Sequence, residues 1–311
     1  MFSKLFSTGI MLVWMVGCGT TTTNDNQHNR NDTPSSTKQT TPSETLKKSF
    51  SCNVSLETDR DFQDRYVDRH VADIPWPQAK KYKPLSVTEI EQIFTTARLK
   101  DPTVSKPMIL PPQHIWDSMQ SAEKVLYLVN KARCDRGIKP YEGLDPTINS
   151  IAQSYAQFLS QHPDLYKQNP HEADGKTPFE RMQQEGGVRV GDNADFFQYG
   201  ENIATFAVGT SSSNYPTVYE SEAKAVYGWL YEDVKGQARP YGHRQFLLAN
   251  KLIENAGEVG AEGLIGIGTA LRQYYEAGYY WSEEVIVMDG FDPNKTWDNN
   301  LASTQRVTLY Q

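Results

Sequence analysis

The order of apolar and polar positions predicts helices through the middle of the chain and strands toward its end. Apolar side chains recur at helical spacing over residues 125–132, 148–159, 219–234 and a short stretch after 242. Strand-like runs follow at 264–269, 279–281 and 285–288. Asp145 with Pro146 is typical of a helix N-terminus, and Thr177 with Glu180 forms a capping box. Helices mixed with a few strands indicate an α+β fold around one core.

The segments that flank this region are less regular. Residues 18–47 are almost entirely polar, which is typical of a flexible tether, because they bury too little apolar surface to offset the entropy of ordering. Residues 48–118 are punctuated by proline, and the capping box of Ser86 and Glu89 predicts one helix among them. We expect this extension to pack against the main domain. A loose tail is expected over 293–311.

Residues 1–17 have the features of a bacterial signal peptide. Lys4 supplies positive charge, residues 5–16 are largely apolar, and a small residue stands directly before Cys18. The apolar run is too short to span a bilayer as a mature helix but suits a signal-peptide core. A small residue before a cysteine resembles the lipobox, where the cysteine is acylated and becomes the mature N-terminus; Met15 departs from that motif's usual Leu. The alternative is an ordinary cleaved signal with an incidental cysteine.

A lipid on Cys18 predicts an extracytoplasmic protein that is tethered to a membrane and does not cross it. Two or more acyl chains give a stable anchor, and no second apolar stretch of spanning length follows in the sequence. Gly19 follows the cysteine in place of the Asp typical of retention in the inner membrane, so the outer membrane is favoured.

The two remaining cysteines, Cys52 and Cys134, would then lie in a compartment that permits oxidation. A disulfide between them would fasten the extension to the first helix of the main domain. The alternative is a pair of unpaired buried thiols. Cys134 lies within an amphipathic helix and lacks the context of a catalytic cysteine.

The charge pattern excludes a nucleic-acid-binding protein. The net charge is -7, and no basic block is concentrated enough to bind a phosphate backbone. The common catalytic signatures are also absent from the sequence: it has no G-x-S-x-G elbow, no H-E-x-x-H motif and no glycine-rich phosphate loop.

Five short motifs do occur in a fixed order. They are His171 shortly before residues 174–182; Gly200-Glu201-Asn202; Trp229-Leu230-Tyr231-Glu232; Gly242-His243-Arg244; and Ile265-Gly266-Ile267-Gly268. Together they resemble the CAP superfamily, which includes cysteine-rich secretory proteins, antigen 5 and plant pathogenesis-related proteins. The resemblance covers residues 119–292 and implies a three-layer α-β-α sandwich.

The resemblance also implies that two histidines and two glutamates converge on one cleft: His171, Glu201, Glu232 and His243. Two glutamates in a partly desolvated cavity repel each other, which raises the pKa of at least one. Two imidazoles with a carboxylate suit zinc, whereas calcium and magnesium prefer more oxygen ligands. We therefore expect weak binding of zinc or a similar divalent cation, stronger above about pH 6.5 where histidine is neutral. Alternatively, Glu201 is a structural carboxylate that accepts hydrogen bonds from a neighbouring loop.

Two functions are compatible with such a cavity. The first is a binding or interaction module that presents the cleft to a lipid, peptide, glycan or protein of the cell envelope. The second is a metal-dependent peptidase or esterase in which Glu201 or Glu232 acts as the general base. We favour binding, because the sequence shows no nucleophile with an orienting base and because a fold and a set of side chains do not by themselves establish a reaction.

Overall fold

The computed structural model describes residues 13–14, 47–52, 73–166, 169–186, 199–232, 242–248, 263–291 and 305–311. Cys18, nearly all of the expected signal peptide and most of the expected tether lie outside these ranges. Within them, no helix is long and apolar enough to cross a membrane.

The described elements include both helices and strands. The helices are α1 (Val87–Arg98), α2 (Gln113–Ser118), α3 (Ser121–Cys134), α4 (Pro146–Gln161), α5 (Pro163–Tyr166), α6 (Pro178–Gly186), α7 (Ser221–Tyr231) and α8 (Gly242–Leu248). The strands are β1 (Val13–Trp14), β2 (Ser49–Phe50), β3 (Gly143–Leu144), β4 (Tyr199–Thr210), β5 (Leu264–Glu276), β6 (Tyr279–Phe291) and β7 (Leu309–Tyr310). The α+β composition predicted from the sequence is confirmed.

Three of the described helices, α1, α4 and α6, begin at the capping residues that the sequence predicts. The Asp145 side chain accepts hydrogen bonds from two backbone amides in the first turn of α4. At α1, Ser86 and Glu89 bond each other's backbone amides, and Thr177 with Glu180 does the same at α6. These caps satisfy amides that have no partner inside the helix, so they fix where each helix starts.

The main sheet has the strand order β1-β4-β6-β5-β3, and its three long central strands, β4, β6 and β5, run antiparallel. The apolar pattern does not predict β4. The polar residues Glu201, Asn202 and Thr205 interrupt its apolar residues without a regular spacing, and its helical neighbours cover both faces. A strand buried on both faces lacks the clean alternation that identifies a half-exposed strand.

Helices pack on both faces of this sheet. One hydrophobic cluster contains Ala204, Phe206 and Ile286 together with side chains of α1, α3, α7 and α8. The other contains Ile203, Val285 and Val287 together with side chains of α4. Because neighbouring residues of a strand point to opposite faces, the two clusters lie on opposite sides of the sheet.

The extension contributes to the larger cluster and to a buried ion-pair network. Asp101 bonds the guanidinium groups of Arg136 and Arg244, and all three side chains are fully buried. Burial raises the pKa of the Asp101 carboxyl, but the two arginines outweigh burial and lower it to about 2. A disulfide also joins Cys52 to Cys134, with 6.0 Å between the Cα atoms.

The described end of the chain differs from the loose tail expected over 293–311. Strand β7 pairs antiparallel with β2, and the backbone of Gln305 bonds that of Leu144 in both directions. Leu309 is buried in the main core, so the tail is held by an apolar anchor that the sequence analysis overlooked.

Helix α4 lies directly on β5, at the stripe formed by Gly266 and Gly268. A Cβ atom on either glycine would overlap the backbone of α4, so only glycine permits this close approach. At the same contact, Asn149 accepts a hydrogen bond from the backbone amide of Ile267. One turn later, Gln153 bonds both the amide and the carbonyl of Thr269. Side chains of α4 thus cover part of the outer edge of β5.

Candidate functional site

His171 and Glu201 form a buried pair against the α4 face of the sheet. The Nδ1 atom of His171 lies 2.7 Å from Oε1 of Glu201. The other carboxylate oxygen, Oε2, accepts a hydrogen bond of 2.7 Å from the Arg181 guanidinium. The Glu201 side chain is 1% exposed and that of His171 is 11% exposed. Both oxygens of Glu201 are therefore held by partners within the protein.

Three elements position this pair. Glu201 projects from the central strand β4, and Arg181 projects from α6, while the loop before α6 carries His171. Tyr155 of α4 holds that loop in place, because its hydroxyl donates a hydrogen bond to the Pro170 carbonyl and accepts one from the backbone amide of Ala173. The Arg181 guanidinium also lies 3.4 Å from the centre of the Tyr155 ring.

The charges of this cluster compensate each other. Burial opposes the ionisation of Glu201, but Arg181 and His171 outweigh burial and hold the pKa of its carboxyl below the usual value. Burial lowers the pKa of Arg181, but Glu201, together with Tyr155 and nearby aspartates, more than reverses that effect, so the pKa of the guanidinium is raised. Arg181 also bonds Asp174 at 2.8 Å. The result is a carboxylate that stays ionised inside the core.

Glu232 has different surroundings. It follows the last residue of α7, and its carboxylate accepts a hydrogen bond from the backbone amide of Trp76 in the extension. The pKa of Glu232 is raised to about 7, mainly by burial and in smaller part by Asp73, while the Trp76 amide and Lys81 oppose the rise. The backbone of Ile74 caps the same helix end by donating to the Tyr231 carbonyl at 2.9 Å.

His243 lies in the first turn of α8, on the side of the sheet opposite His171. Its backbone carbonyl accepts a hydrogen bond from the Asn202 side chain, and Asn202 points to the other face of β4 from Glu201. The Phe246 ring, one turn further along α8, covers Gly200 and Gly290 on two paired strands. Side chains at those two glycines would displace the ring, which explains the glycine of the Gly-Glu-Asn motif.

The structure thus joins two of the four expected cavity residues. His171 and Glu201 are in direct contact, whereas Glu232 bonds the extension and His243 is on the helix layer of the opposite face. Among the residues that the structure describes, no group of three or more His, Cys, Asp or Glu side chains is placed to hold a metal ion. The binding of zinc or a similar cation, expected from the sequence, stays a prediction.

The partners that define the buried pair, Arg181 and Tyr155, were not predicted from the sequence. Arg181 lies within the motif over residues 174–182, and Tyr155 is one of the apolar positions of the helix predicted over 148–159. The only sequence signal is spacing: Asp174 and Arg181 lie seven residues apart on either side of the capping box. That spacing does not reveal that a guanidinium bonds a strand carboxylate twenty residues later in the chain.

Comparison of the chain with models of protein families, with curated proteins and with solved structures finds no match.

Proposed function

We propose that the chain is an extracytoplasmic lipoprotein, anchored through Cys18, whose CAP-type domain is a binding or interaction module. The proposal assigns the domain the three-layer α-β-α sandwich of that superfamily. Two features support it: helices pack on both faces of an antiparallel sheet, and the Gly-Glu-Asn motif lies on the central strand β4. The Ile-Gly-Ile-Gly motif supports it too, because its glycines allow α4 to lie on β5.

The observation that favours binding over hydrolysis is the state of Glu201. A general base needs an oxygen within reach of the proton that it removes. Here one oxygen faces His171 and the other faces Arg181, inside a nearly dry core. Such a carboxylate orients its neighbours and does not exchange protons with a substrate.

The same contact prepares His171 for recognition. A carboxylate at Nδ1 keeps a ring proton on that nitrogen, and in the Nδ1–H tautomer the other ring nitrogen, Nε2, is the hydrogen-bond acceptor. The His171 side chain is the more exposed member of the pair. We infer that it receives a donor group of the ligand, an amide or a hydroxyl.

Hydrolysis is the alternative, and one observation favours it. Burial brings the pKa of Glu232 to about 7, near the value that suits a general acid or base at neutral pH. To act in this way, Glu232 would first have to release the Trp76 amide.

The discriminating experiment is turnover. Purified full chain in detergent is incubated with fluorogenic peptides and p-nitrophenyl esters, with and without zinc. We expect no turnover above that of the heat-denatured protein. Turnover that Glu232→Gln abolishes, while Glu284→Gln does not, would establish the hydrolase. Glu284 is a matched control because burial also raises the pKa of its carboxyl to about 7, at a different place in the fold.

Binding is tested with defined envelope probes. Titration calorimetry with soluble muropeptides and with phosphatidylethanolamine vesicles should detect at least one ligand, and His171→Ala should weaken its binding at least tenfold. His162→Ala is the control, since this exposed histidine stacks on Phe158. Equal binding by the two variants would remove the role of His171. Metabolic labelling with palmitate should mark the wild-type chain and not Cys18→Ser.

A further inference from the structure

Among the residues that the structure describes, partners cover the outer edge of β5 along its first half and none covers it along its second. The carbonyl of Ile265 accepts from Asp145, the amide of Ile267 is bonded by Asn149, and Thr269 is bonded by Gln153. These bonds show that the odd-numbered residues of β5 direct their backbone groups away from β6. The pairing of β5 with β6 continues without a bulge to Glu276. The outward direction therefore continues through residues 271, 273 and 275.

No described residue bonds the outward backbone groups of Leu271, Gln273 and Tyr275. Two large hydrophobic residues with high exposed fractions lie on this same stretch: Leu271 is 57% exposed and Tyr275 is 62% exposed. Proteins normally shield a strand edge with a helix, a charge or a proline, because an open edge pairs with other chains. Here the shielding by α4 stops after Thr269.

We propose that this edge is a dimerisation surface, on which residues 271–275 pair antiparallel with the same residues of a second copy of the chain. The two-fold axis passes through Gln273, the middle residue of the open stretch. Leu271 then lies opposite Tyr275 of the second copy, and by symmetry Tyr275 lies opposite Leu271 of the second copy. Three residue pairs each exchange two backbone hydrogen bonds in this register.

The side chains in this register complement one another on both faces of the sheet. On one face, Leu271 packs against Tyr275 of the second copy, an aliphatic side chain against an aromatic ring. On the other, Arg272 lies opposite Tyr274 of the second copy and diagonal to its Glu276, so that a cation meets a ring and a carboxylate. This self-complementarity is what a two-fold interface requires.

Registers shifted by one residue about the axis fit less well. An axis at residue 272 places Arg272 against Arg272 and requires Thr269, which Gln153 already bonds. An axis at residue 274 places Leu271 against Ala277, which is in a turn with φ of 52° and cannot continue the strand. The register centred on Gln273 pairs the outward backbone groups of all three residues, 271, 273 and 275. It ends before Thr269, whose backbone Gln153 of α4 already bonds.

A strand pair of five residues gives a small interface, so the dimer is expected to be weak and dependent on concentration. A second copy fits this edge better than a lipid surface does. The β5–β6 hairpin carries Glu276, Glu283 and Glu284 but Arg272 as its single Lys or Arg residue. Anionic lipid headgroups attract surfaces with an excess of positive charge, which this hairpin lacks.

The test introduces one cysteine at the axis. In the full chain carrying Cys18→Ser, Gln273→Cys places two thiols on Cα atoms about 5.5 Å apart across a hydrogen-bonded pair, a separation that suits a disulfide. Oxidation should give a covalent dimer in more than half of the protein. Leu271→Cys is the control, because its two copies lie four residues out of register, about 13 Å apart.

Sedimentation equilibrium of the unmodified full chain in detergent gives the second readout. We expect a monomer–dimer equilibrium that Gln273→Pro weakens at least tenfold, since proline removes the outward amide. Gln273→Ala retains that amide and should dimerise like the wild type. Equal cross-linking of the two cysteine variants, a strict monomer at about 100 µM, or a dimer indifferent to proline would each overturn the proposal. Cross-linking at position 273 keeps the test decisive if the proline variant fails to fold.

Discussion

The buried carboxyl of Glu232 should make the stability of the protein depend on pH. Its pKa is about 7 in the folded chain, against 4.5 for an ordinary glutamate, and burial is the main cause. One pKa unit corresponds to about 1.4 kcal/mol, so the group accounts for about 3 kcal/mol. Between pH 4.5 and 7 the folded chain binds more protons at Glu232 than the unfolded chain does. Its contribution to the free energy of unfolding is therefore present below pH 4.5 and is lost as the pH rises to 7.

Glu232→Gln removes this dependence. The amide of Gln keeps an oxygen for the Trp76 amide and carries no charge at any pH, so we expect the variant to gain stability over the wild type as the pH rises. The gain between pH 4.5 and 8 should reach about 3 kcal/mol, as an upper value. Urea unfolding, followed by tryptophan fluorescence at several pH values, measures it. The exposed Glu172, changed to Gln, controls for the loss of a charge. Stability curves of wild type and Glu232→Gln that stay parallel across this range would refute the reasoning.

Three further substitutions test the packing. Asp101→Asn leaves Arg136 and Arg244 buried without their carboxylate, so the free energy of unfolding should fall by about 3–5 kcal/mol in urea titrations at pH 7; a loss under 1 kcal/mol would contradict the network. Gly266→Ala should lower the melting temperature sharply, by a cost of about 3 kcal/mol, because the methyl group displaces α4; unchanged melting would show that the contact is loose. Cys52→Ser should remove about 4 kcal/mol by the chain-entropy estimate for a separation of 82 residues. A Cys52→Ser variant as stable as the wild type would show that the disulfide does not restrain the unfolded chain.

The sequence predicts what depends on neighbouring residues in the chain. Capping boxes and helical spacing locate α1, α4 and α6, because a helix start is fixed by side chains within four residues of it. Strand β4 could not be predicted in this way. It is buried on both faces, so packing against the helices on each side determines its residue types, and no alternating apolar pattern marks the strand.

In the candidate site, too, some contacts could be predicted from the sequence and others could not. The contact of His171 with Glu201 is compatible with the motif order, since one residue follows α4 and the other begins a strand beside it. The surroundings of Glu232 depend on Trp76, which is 156 residues away in the chain. Helical spacing places Glu232 in the last turn of the helix predicted over 219–234, but it contains no information about which backbone amide contacts its side chain.

The contacts around Glu232 have a consequence for the whole molecule. The last carbonyls of a helix need donors from elsewhere, and at α7 they come from two directions. Ile74 of the extension donates to Tyr231, and Arg244 of α8 donates to Leu230. The same Arg244 is neutralised by Asp101, again from the extension. Removing the extension would therefore leave the Tyr231 carbonyl without its donor and the buried cation Arg244 without its carboxylate. The extension and the α7–α8 layer should consequently unfold together, and the pH dependence at Glu232 reports on that joint unit.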